Sequence, residues 1–392
     1  MTITARETTK KELYRTIDEM ERELADVARK IHEHPEIAFR ELYAVDLLAD
    51  AADKAGFTVE RNLGGLETAF QATLAGDREG PVVVFLAEYD ALPDIGHACG
   101  HNLIAAGALG AAIATAAALD PIPGELRLVG TPAEEEGGGK VILAREGVFD
   151  DAGAVIMFHP ANRNQLWKYA MASNVVEMEF LGKAAHSASA PEHGINALDA
   201  TILTFNNINA LRQHVKQDVR IHGVIQSGGS APNIVPDYSS ALFYVRSLDD
   251  EYCAQVVEKV QRCAEGAAMA TGATLEFHDR GGYRTLKTNH HLTDAFEANM
   301  AALGVKFGAN APLDDIGSTD LGDVSHIVPC IHPYVAIGDT TIDYHSPEFA
   351  RAACSPEGYR AMLLAAKAMG ATAVDYFLDS GLRNRVEEEF RA

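Results

Sequence analysis

Basic side chains are scarce in this chain of 392 residues. Its 33 lysines and arginines stand against 56 aspartates and glutamates, so the formal charge at pH 7 is −23. A surface with this excess of negative charge repels phosphate backbones and anionic lipid headgroups. We therefore expect neither a nucleic acid nor a membrane surface as a partner.

Long apolar runs are also absent from the sequence. No run approaches the roughly 20 apolar residues that cross a bilayer. The first residues, MTITARETTKKELYRTIDEM, are polar and then amphipathic. They lack the apolar core and the small-residue cleavage site of a signal peptide. These features predict a cytoplasmic protein.

Cysteine is also sparse, and its number is odd. The five cysteines are widely separated in the chain: Cys99, Cys253, Cys263, Cys330 and Cys354. A disulfide framework usually shows an even number of cysteines in a short secreted chain. Cys99, within the segment GHACGHN, is therefore either a buried thiol or a metal ligand.

The first part of the chain has the pattern of an α/β fold. Apolar residues recur at helical spacing from about residue 10 to 56, and buried strands then alternate with helices. The predicted strands are PVVVFLA, ELRLVGT and GAVIMFH. We expect a mostly parallel sheet covered by helices on both faces. Asn102 is the predicted N-cap of the helix NLIAAGALGAAIATAAAL.

A different pattern occupies residues 173–284. Predicted elements follow one another there in the order βαββαβ, which is typical of a split-βαβ, ferredoxin-like α+β domain. Helix and strand alternation returns afterwards, with HPYVAIG as an apolar strand. The sequence thus predicts a larger α/β domain, 1–172 and 285–392, with a smaller domain inserted at 173–284.

Polar residues follow several of the predicted strands of the larger domain. Cys99 and His101 come after the first strand, the run Glu134–Glu136 after the second, His159 ends the third, and His345 follows HPYVAIG. In open α/β sheets, ligands bind at the carboxyl ends of the strands. Thiolate, imidazole and carboxylate together suit zinc or a similar divalent ion.

Each of these features also has a structural explanation when it is taken alone. A buried cysteine is usually a small apolar side chain, and acidic residues favour the start of a helix. A histidine at a strand end often satisfies a local hydrogen bond. Because four strands deliver these groups to one sheet edge, the combination favours a catalytic metal site. One glutamate could then bind metal while its neighbour takes a proton from metal-bound water.

Motifs along nearly the whole chain resemble the aminoacylase and carboxypeptidase family of co-catalytic zinc metallopeptidases. The resemblance rests on DALPDIGHACGHN, GTPAEEEGGGK, MFHP, GKAAHSASAPEHGINALDA, APNIVPD and HSPEF, in that order. Within the family the chain is similar to the amidohydrolase branch of hippurate, indole-acetyl-amino-acid and aminobenzoyl-glutamate hydrolases. It is most similar there to the aminoacylase-like β-alanyl-lysine dipeptidase group.

The resemblance implies a site with two divalent ions, zinc or alternatively manganese or cobalt. Glu134 would be the general base. The 1–172 and 285–392 domain would be catalytic, and the inserted domain would act as a lid and join two protomers in a homodimer. The implied metal ligands are Cys99, His101, Glu135, His159 and His345.

Further roles are implied outside the ligand set. His186 would reach the active site of the partner protomer and stabilise an oxyanion, although a polar residue in a small-residue loop also explains it. Asn233 and Arg246 match positions near the substrate, and Arg246 suits a carboxylate. Asp90 would orient a ligand from outside the metal site.

The sequence departs from the family pattern at three places. Asn102 stands where many relatives have aspartate, which removes a supporting carboxylate. Glu88-Tyr89-Asp90 stands where the wider family often shows His-x-Asp. Three glutamates replace the usual two, so the register of the base and the ligand is open; we prefer Glu134 as base and Glu135 as ligand.

The sequence therefore predicts a metal-dependent amidohydrolase. Its substrates would be N-acyl amino acids or dipeptide-like amides with a free carboxylate, cleaved by activated water. A dipeptidase or carboxypeptidase acting on true peptides is the competing enzyme hypothesis. A catalytically silent metal-binding homologue is the other alternative, but none of the implied base or ligand positions is missing.

Overall fold

The computed structural model describes residues 3–77 and 79–392. These residues form two compact units. The first runs up to Lys168 and continues over Lys287–Asp315 and Asp323–Ala392, and the second comprises Tyr169–Leu286 and Ile316–Gly322. The sequence pattern placed the domain boundaries at 172/173 and 284/285, and nothing in it indicated that residues 316–322 belong to the second unit.

Helices and strands alternate through most of the chain. The α-helices in the described residues are α1 Ile3–Glu19, α2 Glu21–Glu33, α3 Leu42–Lys54, α4 His101–Ala118, α5 Gly139–Arg145, α6 Ala197–Leu211, α7 Asp250–Thr271, α8 His290–Ala302, α9 Leu321–Ser325, α10 Pro347–Ala352, α11 Pro356–Leu378 and α12 Ser380–Arg391. The strands are β1 Thr58–Arg61, β2 Phe70–Ala75, β3 Val82–Glu88, β4 Glu125–Thr131, β5 Ala154–Ile156, β6 His159–Ala161, β7 Ala172–Leu181, β8 Arg220–Ser227, β9 Tyr238–Ser247, β10 Thr274–Tyr283, β11 Cys330–Ile331 and β12 Tyr334–Ala336.

A six-stranded sheet in the order β1-β2-β4-β3-β5-β11 organises the first unit. The pairs β4–β3, β3–β5 and β5–β11 are parallel, whereas β1 and β2 extend the sheet antiparallel. β3 is almost entirely buried, which explains its continuous apolar sequence. The mostly parallel, helix-flanked sheet confirms the predicted α/β class.

Helix α4 is the central helix of this unit and contacts β3, α2 and α11. Glycine permits its close approach to the neighbours: a Cβ at Gly107 would lie 2.7 Å from Phe158, and one at Gly110 would lie 2.6 Å from Leu24. By length and composition α4 and α11 could each cross a membrane, which corrects the expectation that no such run exists. Most of each helix is buried inside the fold, as in the core helices of a soluble protein.

Two local predictions were wrong. Asn102 does not cap α4, because the helix begins at His101 after Gly100, whose φ is +80°. The buried Asn102 amide instead donates to the carbonyls of Ala28 and Ala353, at 3.1 and 2.9 Å. His159 does not end a strand either. Strand β5 ends at Ile156, and His159 is the first residue of β6, which pairs in parallel with β12.

The second unit has the predicted order β7-α6-β8-β9-α7-β10. Its four strands form an antiparallel sheet in the order β10-β7-β9-β8, which confirms the split-βαβ arrangement. Both helices start at a side-chain cap: Asn196 Oδ1 accepts from Leu198 N–H at 3.0 Å, and Asp249 Oδ1 accepts from Tyr252 N–H at 2.8 Å. The helices and the sheet share one apolar core.

Candidate metal centre

The loop after β3 carries Cys99 and His101 into the interior of the first unit. A Cβ on Gly100 would lie 2.9 Å from the Pro160 ring, so glycine is needed where the loop passes this residue. Pro160 directly follows His159 in β6. The close passage places Cys99 Sγ 3.4 Å from His159 Nε2.

His101 is buried and is oriented by Asp90. Its Nδ1 atom lies 2.9 Å from Asp90 Oδ1 and 3.0 Å from the Asp90 carbonyl oxygen. Both partners are acceptors, so Nδ1 carries the hydrogen and Nε2 presents its lone pair. Nε2 is buried and has no hydrogen-bond partner among the described residues. Such an arrangement is typical of a histidine that binds a metal ion.

The turn after β4 presents the glutamates. It begins at Ala133, which has a positive φ of 60°, and Ala133 N–H donates to Glu41 Oε1 at 2.9 Å. Glu135 N–H donates to Asp90 Oδ2 at 2.9 Å, so one carboxylate fixes both His101 and this turn. Glu136, at the end of the run, is exposed.

Glu135 lies between two of the histidines. Its buried Oε1 atom is 3.8 Å from His101 Nε2 and 3.5 Å from His345 Nε2. A carboxylate oxygen of Glu134 lies within 4.8 Å of His101 Nε2 or Nδ1 and of a Glu135 oxygen. The turn therefore brings two neighbouring carboxylates to the same histidine.

His159 and His345 complete the group from two further segments. His159 Nδ1 lies 2.6 Å from the Pro160 carbonyl oxygen, so this nitrogen is the donor and Nε2 faces Cys99. His345 stands in the loop before α10 with a φ of +56°, and its N–H donates to the Ala98 carbonyl at 3.1 Å. The Cys99 loop thus also positions His345.

All of the ligands implied by the resemblance come together in the first unit. Three overlapping sets have potential ligand atoms within 4.8 Å of one another: Cys99 with His101 and His159, Cys99 with Glu135 and His345, and His101 with Glu134 and Glu135. Sulfur, imidazole nitrogen and carboxylate oxygen suit a borderline divalent ion. The buried atoms His101 Nε2 and Glu135 Oε1 also lack hydrogen bonds, which a cation would compensate. The donor set fits divalent metal ions.

Burial and charge shift the pKa values of these groups in different directions. Burial lowers the pKa of His159, and His332 adds to the effect, so the ring stays neutral and can offer a nitrogen lone pair to a metal ion. Burial opposes a charge on His101, but Asp90 and Cys99 together outweigh this effect and raise the pKa of His101. Burial, assisted by Glu135, raises the pKa of the Cys99 thiol. A bound cation would supply the positive charge that a Cys99 thiolate needs.

The second unit carries the three other predicted residues. His186 is exposed, and its Nδ1 accepts the N–H groups of Ala188 and Ser189, each at 3.2 Å. Asn233 is also exposed, and its carbonyl accepts Ser187 N–H at 3.0 Å, which holds it beside His186.

Arg246 is half-buried in the same unit. Its guanidinium lies over the Tyr244 ring at 5.5 Å, and Nη1 donates to Ser318 Oγ at 3.4 Å. Its buried Nε has no hydrogen-bond partner, and no acidic group in the described part of the chain pairs with it. The arginine therefore retains donors for an anion.

Several residues beside the implied metal ligands were given no role in the site from the sequence. The buried His332 ring lies 5.3 Å from the His159 ring, and its Nδ1 lies 3.0 Å from the Tyr334 hydroxyl. Glu88 Oε1 lies 2.5 Å from Lys140 Nζ, and both side chains are buried. Lys140 ends the motif GGGK and His332 begins HPYVAIG, but neither motif indicates a contact.

The sequence of the chain is similar to those of known peptidases and amide hydrolases. The model of peptidase family M20/M25/M40 matches residues 84–368. The chain is 38% identical over 391 residues to the Xaa-Arg dipeptidase of Mus musculus, covering 96% of this chain and 90% of that protein. It is 32% identical over 460 residues to a component of the p-aminobenzoyl-glutamate hydrolase of Escherichia coli K12, covering 96% and 95%.

A solved structure shows the same fold. It is a dinuclear metal binding peptidase of the M20 family from Bacillus subtilis, with a TM-score of 0.71 and 21% identity over 92% of this chain and 99% of that one. The family match spans most of the chain, and the family's enzymes hydrolyse amide bonds. The chain is a hydrolase of amide bonds and belongs to peptidase family M20/M25/M40.

Proposed function

We propose that this protein is a two-metal hydrolase that cleaves N-acyl amino acids or dipeptides at the amide bond. The observation that carries the proposal is the convergence of a thiol, three imidazoles and two neighbouring carboxylates on one place in the first unit. The site also keeps the orphaned lone pairs of His101 Nε2 and Glu135 Oε1. A purely structural cluster would satisfy such atoms within the protein.

The ligand set is the one implied by the family resemblance. Cys99, His101 and His159 share one set of neighbouring atoms, and Glu135 and His345 share another with Cys99. Two divalent ions, when bound, would acidify a water molecule and polarise the scissile carbonyl. Zinc is the expected ion for this mixture of sulfur, nitrogen and oxygen, with manganese or cobalt as alternatives.

Glu134 is the proposed general base. Its carboxylate is close to that of Glu135 and to His101, whereas Glu136 is exposed to solvent. This difference supports Glu134 as base and Glu135 as ligand over the register shifted by one. Glu134 accepts the proton of the attacking water at a carboxylate oxygen and then donates it to the leaving nitrogen.

His186 is the proposed donor to the oxyanion, acting in the partner protomer of a homodimer. Two backbone N–H groups occupy its Nδ1 atom, so the neutral ring carries its hydrogen on Nε2. A ring held in this tautomer is a ready donor to a developing negative oxygen. The second unit, in which His186 lies, would then serve as lid and dimerisation domain.

A free carboxylate on the substrate is the proposed recognition feature. Arg246 lacks an acidic partner within the described residues and keeps a buried, unused Nε donor, which suits a fork of hydrogen bonds to a carboxylate. Asn233 lies beside His186 and would contribute an amide group. Two relatives are named as a dipeptidase and an aminobenzoyl-glutamate hydrolase, and the substrates in both names end in an amino acid. We also propose a cytoplasmic location.

The test is amine release from a panel of substrates, measured with and without a chelator. The panel contains N-acyl amino acids, aminobenzoyl-glutamate, β-alanyl dipeptides and Xaa-Arg dipeptides. Glu134→Gln should abolish turnover while leaving metal content unchanged, and its neighbour Glu136→Gln is the matched control that should keep turnover. A protein that holds metal but leaves every amide intact would instead support the silent homologue.

A further inference from the structure

Glu88 and Lys140 form a buried ion pair beside the metal ligands. Glu88 ends β3 and is 1% exposed, and Lys140 in α5 is 0% exposed. Glu88 Oε1 lies 2.5 Å from Lys140 Nζ. A buried pair of this kind gives little net stability, because desolvation of both charges offsets their attraction. Its presence here calls for a role other than stabilising the fold.

The second carboxylate oxygen of Glu88 faces the metal site. Oε2 accepts no hydrogen bond from the described residues and lies 3.7 Å from His101 Nε2. Glu135 Oε1, which also lacks a hydrogen bond, lies 3.8 Å from the same nitrogen. Each of these two oxygens thus lies within 3.8 Å of the same buried imidazole nitrogen, and none of the three atoms has a hydrogen-bond partner among the described residues.

The two distances to His101 Nε2 are close to the separation of atoms that share one ion. Ligand atoms about 2.1 Å from a tetrahedral metal lie roughly 3.4 Å from one another. The corresponding distances to His101 Nε2, 3.7 and 3.8 Å, are a few tenths of an ångström larger. None of the three atoms has a hydrogen bond within the described residues, and a cation would compensate their burial.

We propose that Glu88 is a further metal ligand, which supplies Oε2 to the ion bound by His101 while Lys140 holds Oε1. This inference rests on the proposed two-metal function. Lys140 restricts Glu88 to one oxygen and fixes the direction of the carboxylate. The residue at the end of β3 therefore contributes a ligand, in addition to the five implied by the motifs.

The test separates a ligand from a structural ion pair by removing each partner. Metal-free protein is titrated with Zn²⁺ against a chromophoric chelator, and the Co²⁺ form is compared by its visible absorption. The double variant Glu88→Gln/Lys140→Met removes both charges together. Its affinity for one of the two ions should fall by about 10–100-fold, and the visible spectrum of its Co²⁺ form should change. Lys140→Met alone keeps the carboxylate and should still bind two ions.

Two further variants keep the result decisive. Glu88→Asp retains the ion-pair charges but withdraws the oxygen by one methylene, so it should lose affinity even if the double variant does not fold. Asp375→Asn breaks the Lys10–Asp375 pair, a largely buried pair with a 2.7 Å contact in the same unit, and should leave metal binding unchanged.

Normal binding of both ions by the Glu88→Asp variant, or by a folded double variant, would overturn the assignment of Glu88 alone. Failure of the unmodified protein to bind two ions would instead overturn the proposed two-metal function.

Discussion

Asp90 places one carboxylate oxygen 2.9 Å from His101 Nδ1 and accepts Glu135 N–H with the other, also at 2.9 Å. A single buried side chain thereby sets the tautomer of one proposed ligand and the backbone position of another. Burial opposes ionisation of Asp90, but His101, the Glu135 N–H group and Lys140 together outweigh this effect and lower the pKa of the carboxyl group. Two proposed ligands therefore depend on one residue that would not touch the metal.

Asp90→Asn should reduce metal affinity by about 10–100-fold, because an amide holds the His101 N–H less firmly and no longer adds negative charge to the ring. Competition with a chelator measures the change. Asp94→Asn is the control, since Asp94 is exposed and its φ of +66° suits asparagine. Equal affinities in the two variants would show that Asp90 does not support His101.

His186→Ala should lower kcat by about 10²–10³-fold with a small effect on KM, as expected for loss of one oxyanion donor. His193→Ala removes an exposed histidine in the same part of the chain and should change neither constant.

Mixing His186→Ala with Glu134→Gln gives a sharper test of action between protomers. After the protomers exchange, a heterodimer contains one site with both the base and the donor, so activity should return. Mixed dimers that remain inactive, with exchange verified by mass, would place His186 outside the partner's site.

Arg246→Met should raise KM for substrates with a free carboxylate by about 10–100-fold, the loss expected for a hydrogen bond to a charged group. Substrates with a terminal carboxamide should show a much smaller change. Arg220→Met is the matched control, because Arg220 pairs with Arg246 across β8 and β9 but its guanidinium donates to backbone carbonyls. The same rise for both substrate classes would exclude a carboxylate clamp.

Glu41 should make stability depend on pH. Burial raises the pKa of Glu41 from 4.5 to about 7. Because the folded state binds this proton more tightly, the contribution is complete below about pH 4.5 and is lost as pH rises through about 7. It is on the order of 3 kcal/mol. The amide oxygen of Glu41→Gln can still accept Ala133 N–H.

The thermal midpoint of Glu41→Gln should therefore fall less between pH 5 and pH 8 than that of the unmodified protein. Glu60→Gln, at an exposed position in β1, should follow the unmodified protein. Parallel pH profiles for Glu41→Gln and the unmodified protein would show that Glu41 stays ionised in the fold.

The class of both units could be predicted from the sequence because it depends on local periodicity. Continuous apolar residues in β3 mark a strand buried on both faces, and the βαββαβ order predicts the four-stranded sheet of the second unit. The motif around Cys99 and His101 likewise carries its ligand types within three residues. These signals need no information from distant parts of the chain.

Tertiary structure decided the contacts that join distant segments. Asn102 has the residue type of a helix cap, but packing against Ala28 and Ala353 gives its buried amide two carbonyl acceptors instead. Glu88 is 52 residues from Lys140, and no periodicity relates a strand end to a helix start. The residue types and the element order are properties of the sequence, whereas the pairing of buried charges and orphaned lone pairs follows from which segments the fold brings within a few ångströms.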